Sequence, residues 1–190
     1  MLRPNLEPDK ASQITLLMAM AVAKAIGTTC DLQALIKWPN DVVINGKKVC
    51  GILTEMDGEK GAISSVIVGT GINVNQETIP QFLSESATSL LLETGRMVDK
   101  QKLLEVVLKE FEKYYERFLE TGTLENLQEE YCALLVSLNK EVKVLDPKGE
   151  YVGISRGING VGELLVEGLD GEIQNVYAGE VSVRGLYGYI

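Results

Sequence analysis

The first third of the chain combines one helical pattern with several strand-like patterns. Apolar side chains recur at three- and four-residue spacing over residues 10–26, which predicts an amphipathic helix that ends at Gly27. From Leu35 to Gly69, short apolar runs alternate with turn residues, which is typical of strands. Asn45-Gly46 lies between two of these runs. Because both residues tolerate positive φ angles, the pair predicts a tight hairpin.

The remainder of the chain contains a helical part followed by a β-rich part. Residues 99–121 predict a long helix that Gly122 would cap, and residues 124–135 predict a shorter one. From about residue 140, five short β-type runs separated by Gly- and Asp-containing turns predict a small barrel or sandwich. We therefore place a domain boundary near residue 137, between units 1–137 and 138–190. The expected apolar face of the long helix comprises Leu104, Val107, Leu108, Phe111, Tyr114, Tyr115 and Phe118.

Composition narrows the classes of function. Hydrophobic residues make up 45% of the 190 residues and charged residues 24%, as in ordinary folded proteins. A net charge of −9 argues against non-specific binding to nucleic acid or to an anionic membrane. Histidine is absent, which excludes Ser-His and Cys-His nucleophilic systems and imidazole metal sites. No apolar run approaches the roughly 20 residues of a membrane span, and the N-terminus does not resemble a signal peptide.

The cysteines indicate the compartment. Cys30, Cys50 and Cys132 lie far apart and form no CxxC pair. A disulfide framework or a structural zinc site is therefore not expected, and reduced cysteines in a cytoplasmic protein are the plain interpretation.

The segment Lys37-Trp38-Pro39-Asn40-Asp41 is the first candidate for chemistry. A lysine at a strand end, held by a bulky ring and by the fixed φ of proline, could offset negative charge on a carboxylate or phosphate oxygen. The alternative is a solvated lysine, a core tryptophan and a polar turn, and composition alone favours it.

Three further segments carry weaker signals. Gly69–Asn75 follows a strand and contains Asn73, so its backbone could approach a ligand closely; a polar turn is the alternative. The glycine spacing fits neither a Walker loop nor a dinucleotide fingerprint. Gly51 inside a strand suggests a bulge or a flat neighbour, and Cys50 beside it is interpreted as a small hydrophobe. In the tail, Glu180 and Arg184 fit a solvated ion pair as well as a site.

Taken together and in this order, the motifs resemble those of biotin protein ligases. Lys-Trp-Pro-Asn-Asp, Asn-Gly-Lys-Lys with Gly-Ile-Leu-Thr-Glu, and Gly-Thr-Gly-Ile-Asn-Val-Asn are similar to the catalytic domain of that family. Gly-Ile-Ser-Arg-Gly-Ile and Gly-Glu-Val-Ser-Val-Arg resemble its SH3-like C-terminal domain. The resemblance implies an α+β fold of the class II aminoacyl-tRNA-synthetase-like type, with a mixed, mainly antiparallel sheet and packed helices, followed by a small SH3-like β-barrel. Unit 1–137 would then be an incomplete catalytic domain, and unit 138–190 the SH3-like domain.

The resemblance also implies an activity. Family members join biotin to the α-phosphate of ATP and pass the biotinyl group to a lysine of a biotin carboxyl carrier protein, so ATP and biotin are the expected substrates, with Mg²⁺ as an expected ion whose ligands the sequence leaves unknown. Homodimerisation through the sheet is a further expectation, whereas no DNA-binding domain and no membrane association are expected of this chain.

Residue roles follow from the same match. Lys37 corresponds to the family's essential lysine, which contacts the biotin carboxylate and the phosphoryl oxygens. Gly51, Ile52 and Leu53 would line the biotin pocket. The expected ATP and adenylate residues are Asn40, Asp41, Gly71, Asn73, Glu180 and Arg184.

One departure from the family pattern limits these expectations. The family's Arg- and Gly-rich loop and its Ser-Thr-Asn strand end have no counterpart in this sequence. We therefore expect this chain by itself to form biotinyl-AMP poorly or not at all. Two alternatives stay open, namely a relative of the lipoate ligases and octanoyl transferases, and a non-catalytic module for carrier binding or assembly.

Overall fold

The first sheet of the fold is antiparallel and has four strands. The computed structural model describes residues 1–59, 62–146, 149–178 and 182–185. The sheet has the order β1-β2-β3-β4, and its strands are β1 (Leu35–Lys37), β2 (Asp41–Ile44), β3 (Lys47–Glu59) and β4 (Ala62–Ile72). Asn45 and Gly46 join β2 to β3 with φ angles of 50° and 79°, so the predicted hairpin is confirmed.

A β-bulge in this hairpin affects the site. The register shifts between Val42, which pairs with Cys50, and Val43, which pairs with Lys48, so that Val49 is the extra residue on β3. Because the bulge breaks the alternation of faces, consecutive Val49 and Cys50 are both buried. The same shift brings Lys48 and Gly51 to one face of the sheet, as the short distance between them shows.

Helix α1 (Ala11–Cys30) forms the centre of the core. The sequence pattern ends this helix at Gly27, which is wrong: the helix continues for three residues, and Asp31 caps it in the left-handed conformation, its N–H donating to the Gly27 carbonyl. Contrary to the expectation from the sequence, one helix in the part of the chain that the structure describes, α1, is long and apolar enough to cross a membrane, yet most of it is buried inside the fold. Burial on nearly all sides explains why its sequence is so apolar.

Three further helices follow the sheet, namely α2 (Leu90–Thr94), α3 (Lys100–Thr121) and α4 (Gln128–Leu134). Asp99 caps the start of α3 and Gly122, at φ 66°, its end, as expected for the long helix. The predicted apolar face is partly wrong, because Leu104 and Leu108 are 56% and 54% exposed. The buried face, which packs on α1, instead includes Leu103 together with Val107, Phe111, Tyr114 and Phe118.

The C-terminal part is a second antiparallel sheet. Its order is β8-β7-β6-β5-β9, formed by β5 (Glu141–Asp146), β6 (Gly149–Ile158), β7 (Leu164–Glu167), β8 (Ile173–Val176) and β9 (Ser182–Gly185). In the described residues, β8 and β9 are the edges and do not close a barrel.

Among the described residues, two hydrogen bonds connect β1 and the residue after it to the C-terminal sheet and to the segment that leads into it. The indole N–H of Trp38 donates to the Gly162 carbonyl at 3.1 Å, and the Val136 N–H donates to the Ile36 carbonyl at 2.9 Å. These contacts seat the second sheet beside the end of β1. The expected α+β architecture with antiparallel sheets is confirmed.

Candidate active site

The turn between β1 and β2 is held rigidly. Lys37 ends β1, Asp41 begins β2, and the two residues pair across the turn. Trp38, followed by a cis peptide bond to Pro39, is buried at 4% exposure. The Asn40 side-chain amide donates to the Ile52 carbonyl at 2.9 Å, and the Ile52 N–H donates to the Asn40 carbonyl at 2.9 Å. These bonds fix the turn against β3, and with it the positions of the flanking lysine and carboxylate.

A cavity of about 620 Å³, the main cavity, opens beside this turn. Five of the residues with a predicted substrate contact line it: Lys37, Asn40, Asp41, Ile52 and Leu53. Its opposite wall comes from α1, where Thr15 donates a hydroxyl hydrogen bond to Thr54 of β3 at 2.7 Å. The sequence interpretation missed this wall because a helix face carries no local motif.

A shallower cavity of about 570 Å³ adjoins the main cavity on the sheet and shares Asn40, Ile52 and Leu53 with it. Gly51, Gly69 and Gly71 form its base, which we call the glycine floor. Gly51 pairs directly with Gly71, so the sheet backbone is accessible here to a flat ligand.

Lys48 lines the same shallow cavity, a placement that the sequence interpretation missed. Its ammonium lies 2.5 Å from the Asp41 carboxylate. A Cβ on residue 51 would lie 2.9 Å from Lys48 Cε and 3.0 Å from its Nζ, so the missing side chain of Gly51 makes room for this lysine. The bulge at Val49 places Lys48 beside Asp41. In the sequence, the only signal for this arrangement was Gly51, three residues after Lys48.

The charges of the site interact with one another. Burial lowers the pKa of Lys37 from the ordinary value of 10.5; the nearby Asp41 carboxylate opposes this shift, while the positive charges of Arg184 and Lys48 add to it. Burial also raises the pKa of the Cys50 thiol to about 12, so this thiol stays protonated at neutral pH. The interpretation of Cys50 as a small hydrophobe is consistent with that environment.

The remaining predicted residues are distributed differently. Arg184 of β9 and Lys37 line one further cavity of about 340 Å³. Asn73 donates its side-chain amide to the Thr88 carbonyl at 3.0 Å and lines none of these three cavities, so its predicted contact with the adenylate stays a prediction. Glu180 lies outside the described residues.

The carboxylates near the site fit Mg²⁺ only in part. Among residues 1–59, 62–146, 149–178 and 182–185, no group of three His, Cys, Asp or Glu side chains could hold a metal ion. Mg²⁺ in nucleotide sites is commonly held by one or two carboxylates together with phosphate oxygens. Asp41 would supply such a carboxylate, with bound phosphates supplying the other ligands and Mg²⁺ neutralising part of their charge.

Comparison with known proteins agrees with the motifs. Residues 1–73 match the model of the Biotin/lipoate A/B protein ligase family, and residues 137–184 match that of the Biotin protein ligase C terminal domain. The chain is 39% identical over 186 residues to the Bifunctional ligase/repressor BirA of Bacillus subtilis, covering 96% of this chain and 56% of that protein. It is 32% identical over 189 residues to the Biotin--[acetyl-CoA-carboxylase] ligase of Paracoccus denitrificans, covering 97% of this chain and 78% of that one.

Solved structures give the same result. The biotin protein ligase from Aquifex aeolicus in complex with biotin and ATP superposes with a TM-score of 0.82 at 31% identity, covering 95% of this chain and 76% of that chain. This chain spans only about half the length of the BirA proteins it matches. Its two family matches, its identity to the Paracoccus ligase and its fold agree, and the chain belongs to the biotin protein ligase family.

Proposed function

We propose that this chain carries the lysine-rich side of an active site that activates biotin with ATP and transfers it to a lysine of a biotin carboxyl carrier protein. The observation that carries the proposal is the grouping of two lysines and a carboxylate beside two adjoining cavities: Lys48 forms an ion pair with Asp41, and Lys37 pairs with Asp41 across the turn. We infer the substrates from the resemblance of the motifs and from the membership of the family. A cytoplasmic location is proposed with it.

The first chemical step requires positive charge at the position where the two substrates meet. An oxygen of the biotin carboxylate attacks the α-phosphorus of ATP, the bond from that phosphorus to the bridging oxygen breaks, and pyrophosphate leaves. Carboxylate and phosphate repel each other, so fixed cations at the point of attack stabilise the transition state. Lys37 and Lys48, positioned by Asp41, would supply that charge.

The two cavities suggest where the substrates lie. The glycine floor exposes sheet backbone to a flat group, and the apolar side chains of Ile52 and Leu53 border it. We assign the biotin end of the adenylate to Gly51, Ile52 and Leu53, and the nucleotide end to Asn40, Asp41 and Gly71. Asn73, Glu180 and Arg184 keep their predicted nucleotide roles within the proposal.

The second step needs no nucleophile from this chain. The amine of the carrier lysine attacks the acyl carbon of biotinyl-AMP, the bond from that carbon to the phosphate oxygen breaks, and AMP leaves while the amine loses a proton. This sequence of steps is compatible with a chain that contains no histidine.

The test uses the chain together with biotin, ATP, Mg²⁺ and a purified carrier domain. Biotin-dependent release of pyrophosphate reports the first step, and mass spectrometry of the carrier reports the second. Both readouts are followed over hours, so that slow turnover is also detected. Lys37→Gln should reduce both readouts about a hundredfold or more, since it removes a transition-state cation.

The matched control is Lys109→Gln. Lys109 lies exposed on α3, so this substitution makes the same change in charge away from the three cavities. Equal turnover by Lys37→Gln and Lys109→Gln would contradict the proposal. Lipoate in place of biotin tests the other branch of the family, and faster consumption of lipoate would favour the lipoate-ligase alternative.

A further inference from the structure

The backbone of Lys48 is bonded to a segment outside the four strands of the first sheet. The pairing of β3 with β4 begins only at Cys50, so it does not reach Lys48. Residues 86–88 lie parallel to β3 at this point. The Lys48 N–H donates to the Ser86 carbonyl at 2.8 Å, and the Lys48 carbonyl accepts from the Thr88 N–H at 2.9 Å. We call residues 86–88 the support segment.

Glu93 of α2 joins the support segment to the hairpin that carries Lys48. One carboxylate oxygen of Glu93 accepts from the Thr88 hydroxyl at 2.6 Å, and the other accepts from the Asn45 side-chain amide at 2.7 Å. Asn45 lies in the turn between β2 and β3, and Lys48 is the second residue of β3. A single carboxylate therefore holds together the two pieces of chain that are bonded at Lys48.

The bond from Thr88 to Glu93 matters because Thr88 is buried. Thr88 is 3% exposed, so its hydroxyl depends on a partner within the protein. Loss of the acceptor would leave a buried hydroxyl unsatisfied, which costs more than an ordinary hydrogen bond contributes. A second side chain holds the same residue, because the Asn73 amide donates to the Thr88 carbonyl at 3.0 Å. The support segment is therefore fixed at Thr88 by side chains from two different parts of the chain.

The position of the Lys48 ammonium depends on this backbone. The ammonium lies 2.5 Å from Asp41, and Cε lies in the space that a Cβ on Gly51 would crowd. Hydrogen bonds weaken steeply when the donor is displaced or misaligned, so a shift of the Lys48 backbone weakens the contact at the end of its side chain. Asp41 thus holds the ammonium, while Glu93 and the support segment hold the backbone.

From these contacts we propose that Glu93 is a positioning residue of the site, which acts on a bound adenylate through Lys48. Glu93 and Thr88 line none of the three cavities of the site, as expected for residues that act indirectly. The inference rests on the proposed function for its effect on ligand binding, whereas the effect of Glu93 on Lys48 needs no substrate.

The first test measures the chemical reactivity of Lys48 in the free protein. Trace acetylation with acetic anhydride, followed by mass spectrometry, compares the rate at Lys48 with the rate at exposed Lys109 in the same sample. An ion pair keeps an ammonium protonated and less reactive. Glu93→Ala should therefore raise the relative rate at Lys48 up to about fivefold, the size expected from weakening a partly exposed ion pair.

Glu93→Gln separates hydrogen bonding from charge. The amide of glutamine accepts from one partner and donates to the other, and both the Thr88 hydroxyl and the Asn45 side chain are able to accept as well as donate. The relative rate at Lys48 should therefore stay within about twofold of the wild type. A rate as high as that of Glu93→Ala would show that the charge of Glu93 matters rather than its bonds, and would overturn the inference.

The second test measures the affinity for a non-hydrolysable analogue of biotinyl-AMP. Trp38 is the only tryptophan of the chain and lines the main cavity, so its fluorescence reports binding. Glu93→Ala should weaken binding about tenfold, as expected for a misplaced charged donor. The same substitution should have little further effect in the Lys48→Gln background. A merely structural role of Glu93 would give equal losses in both backgrounds, which contradicts the inference.

Glu130→Ala is the matched control. The Glu130 carboxylate also accepts from two side chains, Arg117 at 2.8 Å and Tyr114 at 3.4 Å, but it joins α4 to α3 and lines none of the three cavities. This substitution should change neither the relative rate at Lys48 nor the affinity for the analogue. Equal relative rates in Glu93→Ala and Glu130→Ala would overturn the inference.

A second variant keeps the test decisive if thermal denaturation shows that Glu93→Ala does not fold. Thr88→Val removes only the hydroxyl bond to Glu93 at nearly constant volume, and it should change the Lys48 rate and the affinity in the same direction by smaller factors. An unchanged Lys48 rate in this variant would contradict the inference. If the Lys48 rate responds as expected but the wild type does not bind the analogue, the proposed function alone is refuted.

Discussion

Gly51→Ala should displace Lys48 without removing its charge. The added Cβ would lie 2.9 Å from Lys48 Cε, about 0.6 Å closer than an ordinary contact, so the end of the lysine side chain must shift, and we expect its ion pair with Asp41 to weaken. The same Cβ would lie 3.7 Å from Asp41 Oδ1, which is an ordinary contact, so the carboxylate can stay in place. The substitution therefore changes the position of the Lys48 ammonium while its positive charge is retained.

The fold should tolerate this change. Replacing a strand glycine by alanine at a compatible φ stabilises by about 0.4–1 kcal/mol through the unfolded state. Weakening the partly exposed Asp41–Lys48 pair costs at most about 1 kcal/mol. The two effects nearly cancel, so the melting temperature should change by only a few degrees.

Binding at the site should respond more strongly. A hydrogen bond to a charged group contributes about 1.5–3 kcal/mol, so a non-hydrolysable analogue of biotinyl-AMP should bind about ten- to a hundredfold more weakly. Titration of Trp38 fluorescence measures the affinity, and thermal denaturation checks the fold. Gly71→Ala is the matched control, because its Cβ would fill the same glycine floor yet meet only the Gly51 carbonyl, at 3.7 Å.

A double-mutant cycle identifies the cause. If Gly51→Ala acts by moving Lys48, it should have little further effect when Lys48 is already glutamine. The reasoning is refuted if Gly51→Ala binds the analogue like the wild type, or if it weakens binding equally with Lys48 and with glutamine at position 48. Equal losses in Gly51→Ala and Gly71→Ala would point to filling of the floor instead.

Two further predictions concern a pKa and the core. Asp41→Asn removes the negative charge that opposes the lowered pKa of Lys37, so the pKa of Lys37 should fall further. Because anion binding needs the charged lysine, the affinity for pyrophosphate should decline at a lower pH in the variant than in the wild type as the pH is raised. A pH titration in which the wild type loses affinity first would contradict this prediction. Tyr131 is 1% exposed, and its hydroxyl has no hydrogen-bond partner among the residues that the structure describes. Tyr131→Phe should therefore raise the free energy of unfolding by about 1 kcal/mol in urea denaturation, whereas a loss of that size would indicate a partner for the hydroxyl.

Local patterns were sufficient for the elements that depend on local chemistry. The Asn45-Gly46 hairpin followed from two residues that tolerate positive φ, and the ends of α3 followed from Asp99 and Gly122 as caps. The end of α1 could not be predicted from the local pattern. Glycine ends a helix only where packing does not compensate for its low helix propensity, and α1 is buried along most of its length. Leu104 and Leu108 were wrongly predicted to be buried for a related reason. Periodicity identifies an apolar stripe on α3, but it does not identify the part of the stripe that packs against α1.

The candidate site likewise has features that the sequence predicted and features that only the tertiary structure showed. By itself the sequence determined the motifs and the family they resemble, and it predicted a site at the turn from Lys37 to Asp41, because these are contiguous residues with strong local constraints. Only the tertiary structure decided that Lys48 meets Asp41, since a one-residue bulge at Val49 changes the face on which a side chain lies. It also decided that Lys140 and Arg184 share a cleft with Lys37, because residues more than a hundred positions apart meet only when the second sheet packs against the end of β1.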